Sequence, residues 1–313
     1  MIVLKILKVF LFVILFAGIF LRNTPAYAYE EVDVSRGGKI AGRITLKGDI
    51  PKPRVFSLSL YPFGTFCKKI SDGKGHVLLK DFVVGDHGGL WNAVIAIQSV
   101  EKGKPFPLIQ REFVAVDCMF HPADVAAREQ FFTDESGQMY HEHPNVAILE
   151  NHQPISVINQ DPIVHNIQVF QNERGNIILN SPLPVSTRPR GGGLHFDEGK
   201  RISQMICGMH EFMQSWGFVV NNPYYAMSAK DGTYEIDQIL PGEYTVSIWH
   251  PHYKIYEKKV VVPENGTVKL DFEFDASIVK RPLYESQRRF RMDPATPIDH
   301  LLHEGDDRLI IAD

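Results

Sequence analysis

Along most of the chain, residues fall into short alternating or wholly apolar runs instead of recurring with a helical period. The runs include Lys39–Leu46, Trp91–Ile97, Phe113–Val116, Ile155–Asn159, Asn166–Phe170, Gly217–Val220, Thr233–Ile236, Tyr244–Trp249, Lys258–Val262 and Thr267–Phe274. Each is bounded by Gly, Pro, Asn or Asp, so the pattern predicts strands packed as β-sandwiches. Pro263-Glu264-Asn265-Gly266 separates two runs and predicts a hairpin turn, because Asn-Gly tolerates positive φ. Asp231-Gly232 predicts a similar turn. Ser181–Lys200 carries Pro182, Pro184, Pro189 and the triple Gly191–Gly193, and reads as a long loop. Ala123–Asn145 is polar, with room for a helix at Ala123–Phe131, and the alternation is lost from Ala276 onward.

The first residues differ from the rest. Lys5 and Lys8 precede thirteen uninterrupted apolar residues, Val9–Leu21, and Ala26-Tyr27-Ala28 follows. As a helix the run is about 20 Å long, short for a membrane span. Residues 1–28 therefore read as a secretory signal cut after Ala28, with an uncleaved anchor as the alternative. Export places the mature chain in the periplasm or outside the cell, where disulfides are permitted.

Composition narrows the classes. The 313 residues are 44% hydrophobic and 22% charged, the values of an ordinary globular chain with length for about two domains. Net charge is −4, and −7 without Lys5, Lys8 and Arg22, which argues against a nucleic-acid partner. The three cysteines, Cys67, Cys118 and Cys207, cannot all pair within one chain.

Cys207-Gly208-Met209-His210-Glu211-Phe212-Met213 places a thiol, an imidazole and a thioether at positions 1, 4 and 7. Thiolate and thioether favour Cu(I) and imidazole serves both oxidation states, so this set suits copper better than zinc. A trigonal centre needs a second histidine, and His165, between two strand-like runs, is the candidate. Read singly, each of these residues would be an ordinary core or rim residue, and the joint spacing is what points to metal.

His165-Asn166 followed by Cys-x-x-His-x-x-Met resembles the cupredoxin pattern, with a short amicyanin-like ligand loop. The resemblance implies His165, Cys207 and His210 as equatorial ligands of one type-1-like copper and Met213 as the weak axial one. Asn166 would tie the first ligand strand to the cysteine loop. A longer resemblance runs through Gly38–Ile44, Asp117-Cys118-Met119-Phe120-His121-Pro122, Asn222-Pro223-Tyr224-Tyr225-Ala226, Asp231–Ile236, Leu240-Pro241-Gly242-Glu243-Tyr244-Thr245 and Ile248-Trp249-His250. It is to exported bacterial proteins of the methylamine-utilisation or plastocyanin-like type with a carboxypeptidase-regulatory-like domain. The expected fold is all-β, a cupredoxin-like Greek-key sandwich plus a smaller transthyretin-like β-sandwich. The expected boundaries are an N-terminal β region at 29–112, the cupredoxin-like domain at 113–220, the regulatory-like sandwich at 221–275 and a charged tail at 276–313. The 29–112 region is expected to help complete the C-terminal sandwich. The chain departs from the pattern at the insert Ala126–Asn145 and at Glu211, where amicyanin-like loops tend to have proline.

Cys67 and Cys118 read as a disulfide, with free thiols, or pairing of one with Cys207, as the alternatives. His141-Glu142-His143 reads as a solvated loop or a second metal site. His250 and His121 read as structural, and His195 has no assigned place. There is no Gly-x-Ser-x-Gly elbow, zinc helix or phosphate loop, and Ile206 and Gly208 flank Cys207 where a multicopper oxidase needs a His-x-His pair to span the cysteine. The expectation is a non-enzyme that transfers electrons to a periplasmic redox protein, its His210 ring edge exposed as the electron port. The rivals are a metal-free envelope scaffold and a copper carrier.

Overall fold

Four consecutive apolar residues, Val94–Ile97, form a strand buried on both faces, and this strand shows how the molecule is layered. The computed structural model describes residues 29–109, 111–123, 131–133, 139–142, 145–172 and 175–279. Side chains alternate along a strand. Val94 and Ala96 therefore face one core, with Trp216, Phe218 and Trp249. Ile95 and Ile97 face another, with Ile40, Ile44, Ile236, Val246 and Ile248. Strand Val146–Glu150 repeats the arrangement: Val146 and Ile148 join the Trp216 core. Ala147 and Leu149 join a third core with Phe113, Val157, Ile167 and Cys207. A strand covered on both sides needs no polar face, so both of these read as continuous apolar runs.

The three cores separate four sheets. The first holds Thr233–Ile239, Gly38–Lys47 and Thr267–Lys269. The second holds Tyr225–Met227, Val94–Ile97, Gly242–Trp249 and Tyr256–Val262. The third runs Val146–Glu150, Gln214–Val220, Ile202–Cys207, His165–Gln171 and Ile177–Leu183. The fourth runs Ser186–Gly193, Pro154–Asn159, Arg111–Val116 and Met119–Pro122. The chain is all-β and built of β-sandwiches, as its alternation predicts.

Strand Gly38–Lys47 pairs antiparallel with Thr233–Ile239 and parallel with both Thr267–Lys269 and Phe272–Asp275, so the N-terminal strand sits inside the C-terminal sheet. Residues 54–80 go elsewhere: Phe56, Leu58, Tyr61, Val77 and Leu79 pack into the core that holds Cys207.

Two expectations are corrected. Ser181–Lys200 is not a long loop: Ile177–Leu183 and Ser186–Gly193 are strands. Both lie at sheet edges, where proline is tolerated. A Cβ on Gly191 would fall on the Ile155 carbonyl, so glycine there admits the neighbouring backbone. Pro263–Gly266 is a turn, with Gly266 N–H donating to the Pro263 carbonyl at 3.4 Å, but not a hairpin. Its flanking strands belong to different facing sheets, a choice that local residues do not encode. Residues 1–28, residues 280–313 of the expected tail and residues 124–130 of the helix expected at Ala123–Phe131 lie outside the described residues, and Phe131 opens a strand. Among the described residues no helix is long and apolar enough to cross a membrane.

Candidate metal centre

Strands His165–Gln171 and Ile202–Cys207 pair antiparallel, with Ile167 opposite Cys207. The chain then turns within six residues and returns as the adjacent strand Gln214–Val220. Three backbone bonds tighten that turn. His210 N–H donates to the Cys207 carbonyl (3.1 Å), Met213 N–H to the His210 carbonyl (2.9 Å) and Cys207 N–H to the Met213 carbonyl (3.0 Å).

The result is a convergence of donor atoms. His165 Nδ1 lies 3.3 Å from His210 Nδ1, and Cys207 Sγ lies 3.8 Å from the first and 3.6 Å from the second. All three residues have 0% exposure. A triangle with these edges has its centre about 2.1 Å from each corner, the bonding distance of a late first-row metal to nitrogen. The donor set therefore fits copper in both chemistry and spacing. Met213 is also fully buried, in the same core as Cys207.

Electrostatics favour a thiolate. Burial alone would raise the Cys207 thiol, but hydrogen bonds from His165 and His210 outweigh it and bring it down to about 6. Burial would lower His165, yet its bonds to Asp161 and Cys207 raise it to about 9. Asp161 Oδ2 lies 2.9 Å from His165 Nε2, leaving Nδ1 turned toward Cys207. Burial opposes ionisation of Asp161, but His165 and the amides of Cys118 and Asp117 hold its carboxyl below the ordinary range.

Asp161 also anchors the disulfide. Cys67 and Cys118 are bonded, which leaves Cys207 as the free cysteine. Asp117 and Cys118 form a two-residue hairpin loop, both with positive φ (53° and 57°). Their N–H groups donate to the two Asp161 carboxylate oxygens, each at 2.8 Å. The disulfide thus joins this hairpin to the short helix Gly64–Cys67, whose neighbour Lys69 pairs with Asp117.

That helix belongs to a cap over the site. His210 is not an exposed port: its Nε2 lies 2.7 Å from the Pro62 carbonyl, and Tyr61 and Phe212 pack beside its ring. The expectation fails because residues 58–70, some 140 positions earlier, fold over the loop, a contact no local pattern reveals. Glu211 is buried too, at 3% exposure. Asn166 ties the strand to the loop through its backbone. Its N–H points at Cys207 Sγ (3.4 Å) and its carbonyl accepts from Gly208 (2.8 Å). Its side chain donates to Asn180 instead.

Asp161 and Pro62 were not among the expected site residues. A carboxylate four positions before His165 was a usable signal for Asp161, whereas nothing near Pro62 marks it. His250 stacks on Phe82 and bonds to the Pro251 carbonyl, and His121 lies buried on a paired strand. His141 and Glu142 end a strand beside Leu79–Lys80, and His143 lies outside the described residues.

Comparison with known proteins adds a sandwich. Residues 222–275 match the family model of the second β-sandwich domain of BOS complex subunit NOMO1-like proteins. No curated protein matches the chain. Among solved structures, a point mutant of amicyanin in its reduced Cu(I) form at pH 4 is 13% identical, with a TM-score of 0.24, over 40% of this chain and 98% of its own. A purple cupredoxin from Nitrosopumilus maritimus is 21% identical, with a TM-score of 0.21, over 28% of this chain and 88% of its own.

Proposed function

We propose that the protein is an exported, cupredoxin-like copper protein that serves outer-sphere electron transfer to a periplasmic redox partner and is not an enzyme. The observation that carries this reading is the buried triangle of His165, Cys207 and His210 donor atoms. These three, with the thioether of Met213, would hold one type-1-like copper. When bound, copper supplies reversible one-electron chemistry.

The chain's own residues do the rest. Asp161 fixes the tautomer and orientation of His165. The backbone bonds of the 207–213 turn fix the chain that carries thiolate, imidazole and thioether, which would limit reorganisation between oxidation states. The cap excludes water from His210, so a partner would reach the centre through Tyr61-Pro62-Phe63. Phe63 is 48% exposed and suits that contact. In this reading 113–220 is the electron-transfer unit, and 221–275, with the Gly38–Lys47 and Val94–Ile97 strands, is a transthyretin-like sandwich.

The test is metal analysis and a visible spectrum of purified protein before and after Cu(II). The expected result is one copper per chain with an intense visible band that disappears in Cys207→Ala and survives in His141→Ala. A metal-free scaffold would show no stoichiometric copper, and a carrier would lose it rapidly to a chelator. Colour persisting in Cys207→Ala would refute the assignment.

A further inference from the structure

A second group of imidazoles lies far from the buried centre. His152 Nδ1 and His195 Nδ1 are 3.0 Å apart, and both side chains are exposed. They come from loops 43 positions apart in sequence. Their ring centroids are 5.2 Å apart with planes at 53°. The strand that begins at His165 ends at Gln171, whose side-chain amide is paired with Asp197, two residues beyond His195. Six residues of strand, about 20 Å, separate His165 from Gln171, so the pair lies toward the opposite end of this strand from the Cys207 site.

The two loops are held in register. His152 N–H donates to the Leu194 carbonyl (2.9 Å), and Leu194 N–H returns a bond to the Gln153 carbonyl (3.1 Å). Asn151 clamps the far side: its Oδ1 accepts from Phe196 N–H and its Nδ2 donates to the Phe196 carbonyl, each at 3.0 Å. Leu194 and Phe196, on either side of His195, are buried in the Cys207 core. His152 itself has φ +66°, at the turn closed by Gln153 N–H on the Glu150 carbonyl. The rings are thus carried on backbone fixed before any ligand arrives, which reduces the ordering cost of binding.

We propose that His152 and His195 form a surface dihistidine site for a divalent late first-row cation, Cu(II) foremost. Centroids 5.2 Å apart with Nδ1 atoms 3.0 Å apart leave the two rings pointing nearly at one another, so both exposed rings rotate about their side-chain bonds to bring their Nδ1 lone pairs onto one ion. Square-planar nitrogen coordination favours Cu(II) and Ni(II), and affinity in the series peaks at Cu(II). Without metal, one ring donates its Nδ1 hydrogen to the other. On binding that hydrogen moves to Nε2, so both Nδ1 lone pairs face the ion and no net proton is released. The buried site, by contrast, offers a thiolate and no open position. The two sites differ in ligand type and access, and this proposal does not depend on the function proposed above.

The test is titration of the full-length Cys207→Ser chain with Cu(II), followed by electron paramagnetic resonance. The expected result is one Cu(II) per chain with a tetragonal signal coupled to two imidazole nitrogens. His152→Asn, which tolerates the positive φ, and His195→Ala should each weaken binding at least tenfold, with His141→Ala unchanged. Should Cys207→Ser fold poorly, the same signal is sought as a further equivalent on the wild-type chain, with the same variants. Binding that ignores His152→Asn and His195→Ala, or that is lost only in His141→Ala, overturns the proposal.

Discussion

Asp161 organises the candidate centre without being one of its expected ligands. One carboxylate orients His165 and satisfies both amides of the Asp117-Cys118 turn. Asp161→Ala removes all three bonds at a buried position. The expected cost is about 2 kcal/mol or more of stability and a ten- to hundredfold loss of copper affinity. Denaturant unfolding of the metal-free chain and competition with a Cu(I) chelator measure the two separately. Asn166→Ala should cost under about 1 kcal/mol, because the backbone makes the bonds to the loop and the lost amide bond is an exposed one. Equal losses from the two variants would show that the tie runs through the Asn166 side chain. At this scale the sequence reads well for chemistry. Cys207, His210, Met213 and His165 carry donor types at a recognisable spacing. The partners that orient or cover them do so through groups every protein has, a carboxylate and a carbonyl, and their role exists only once distant segments meet.

Among the elements, the cap depends on its tether. The Cys67–Cys118 link closes a loop of 51 residues. In the chain-entropy model, cutting such a loop costs about 4 kcal/mol. The double variant Cys67→Ser, Cys118→Ser is therefore expected to unfold at markedly lower denaturant and to release copper to a chelator faster, since the cap lies on His210. Unchanged release rates would mean that the packing of Tyr61 and Phe212 holds the cap by itself. The triple-glycine strand offers a sharper contrast. Gly191→Ala drives a methyl into the Ile155 carbonyl, a backbone atom that cannot move aside, and should cost about 1–3 kcal/mol. Gly192→Ala meets only the end of the Leu179 side chain, at 3.1 Å, and should cost less. Thermal melts of the pair decide it, and equal shifts would remove the close-approach explanation. These glycines also show where pattern reading failed. Glycine and proline mark turns when the chain is read locally, but at a sheet edge they serve the approach of a neighbouring strand. The alternating runs in the interior carried no such ambiguity.

On the scale of the whole molecule, the cores are shared between segments that are distant in sequence. In the second sheet, Val94–Ile97 lies between Tyr225–Met227 and Gly242–Trp249. In the first, Gly38–Lys47 separates Thr233–Ile239 from Thr267–Lys269. Both inserted strands come from outside residues 222–275, the stretch that matches a β-sandwich family model. Residues 222–275 alone would have two sheets each missing a central strand, with Ile236, Val246 and Ile248 left without Ile40, Ile44, Ile95 and Ile97. Trp249 would lose Trp216 and Phe218 as well. Sheets broken at the centre expose strand edges and apolar faces, conditions that lead to aggregation. The isolated 222–275 fragment is therefore expected to lack a cooperative unfolding transition, and addition of a separate 29–103 chain should restore one only if both missing strands dock. Circular dichroism melts of the fragment, the mixture and the full chain test this. A fragment that melts cooperatively alone would show that the sandwich closes without its N-terminal strands.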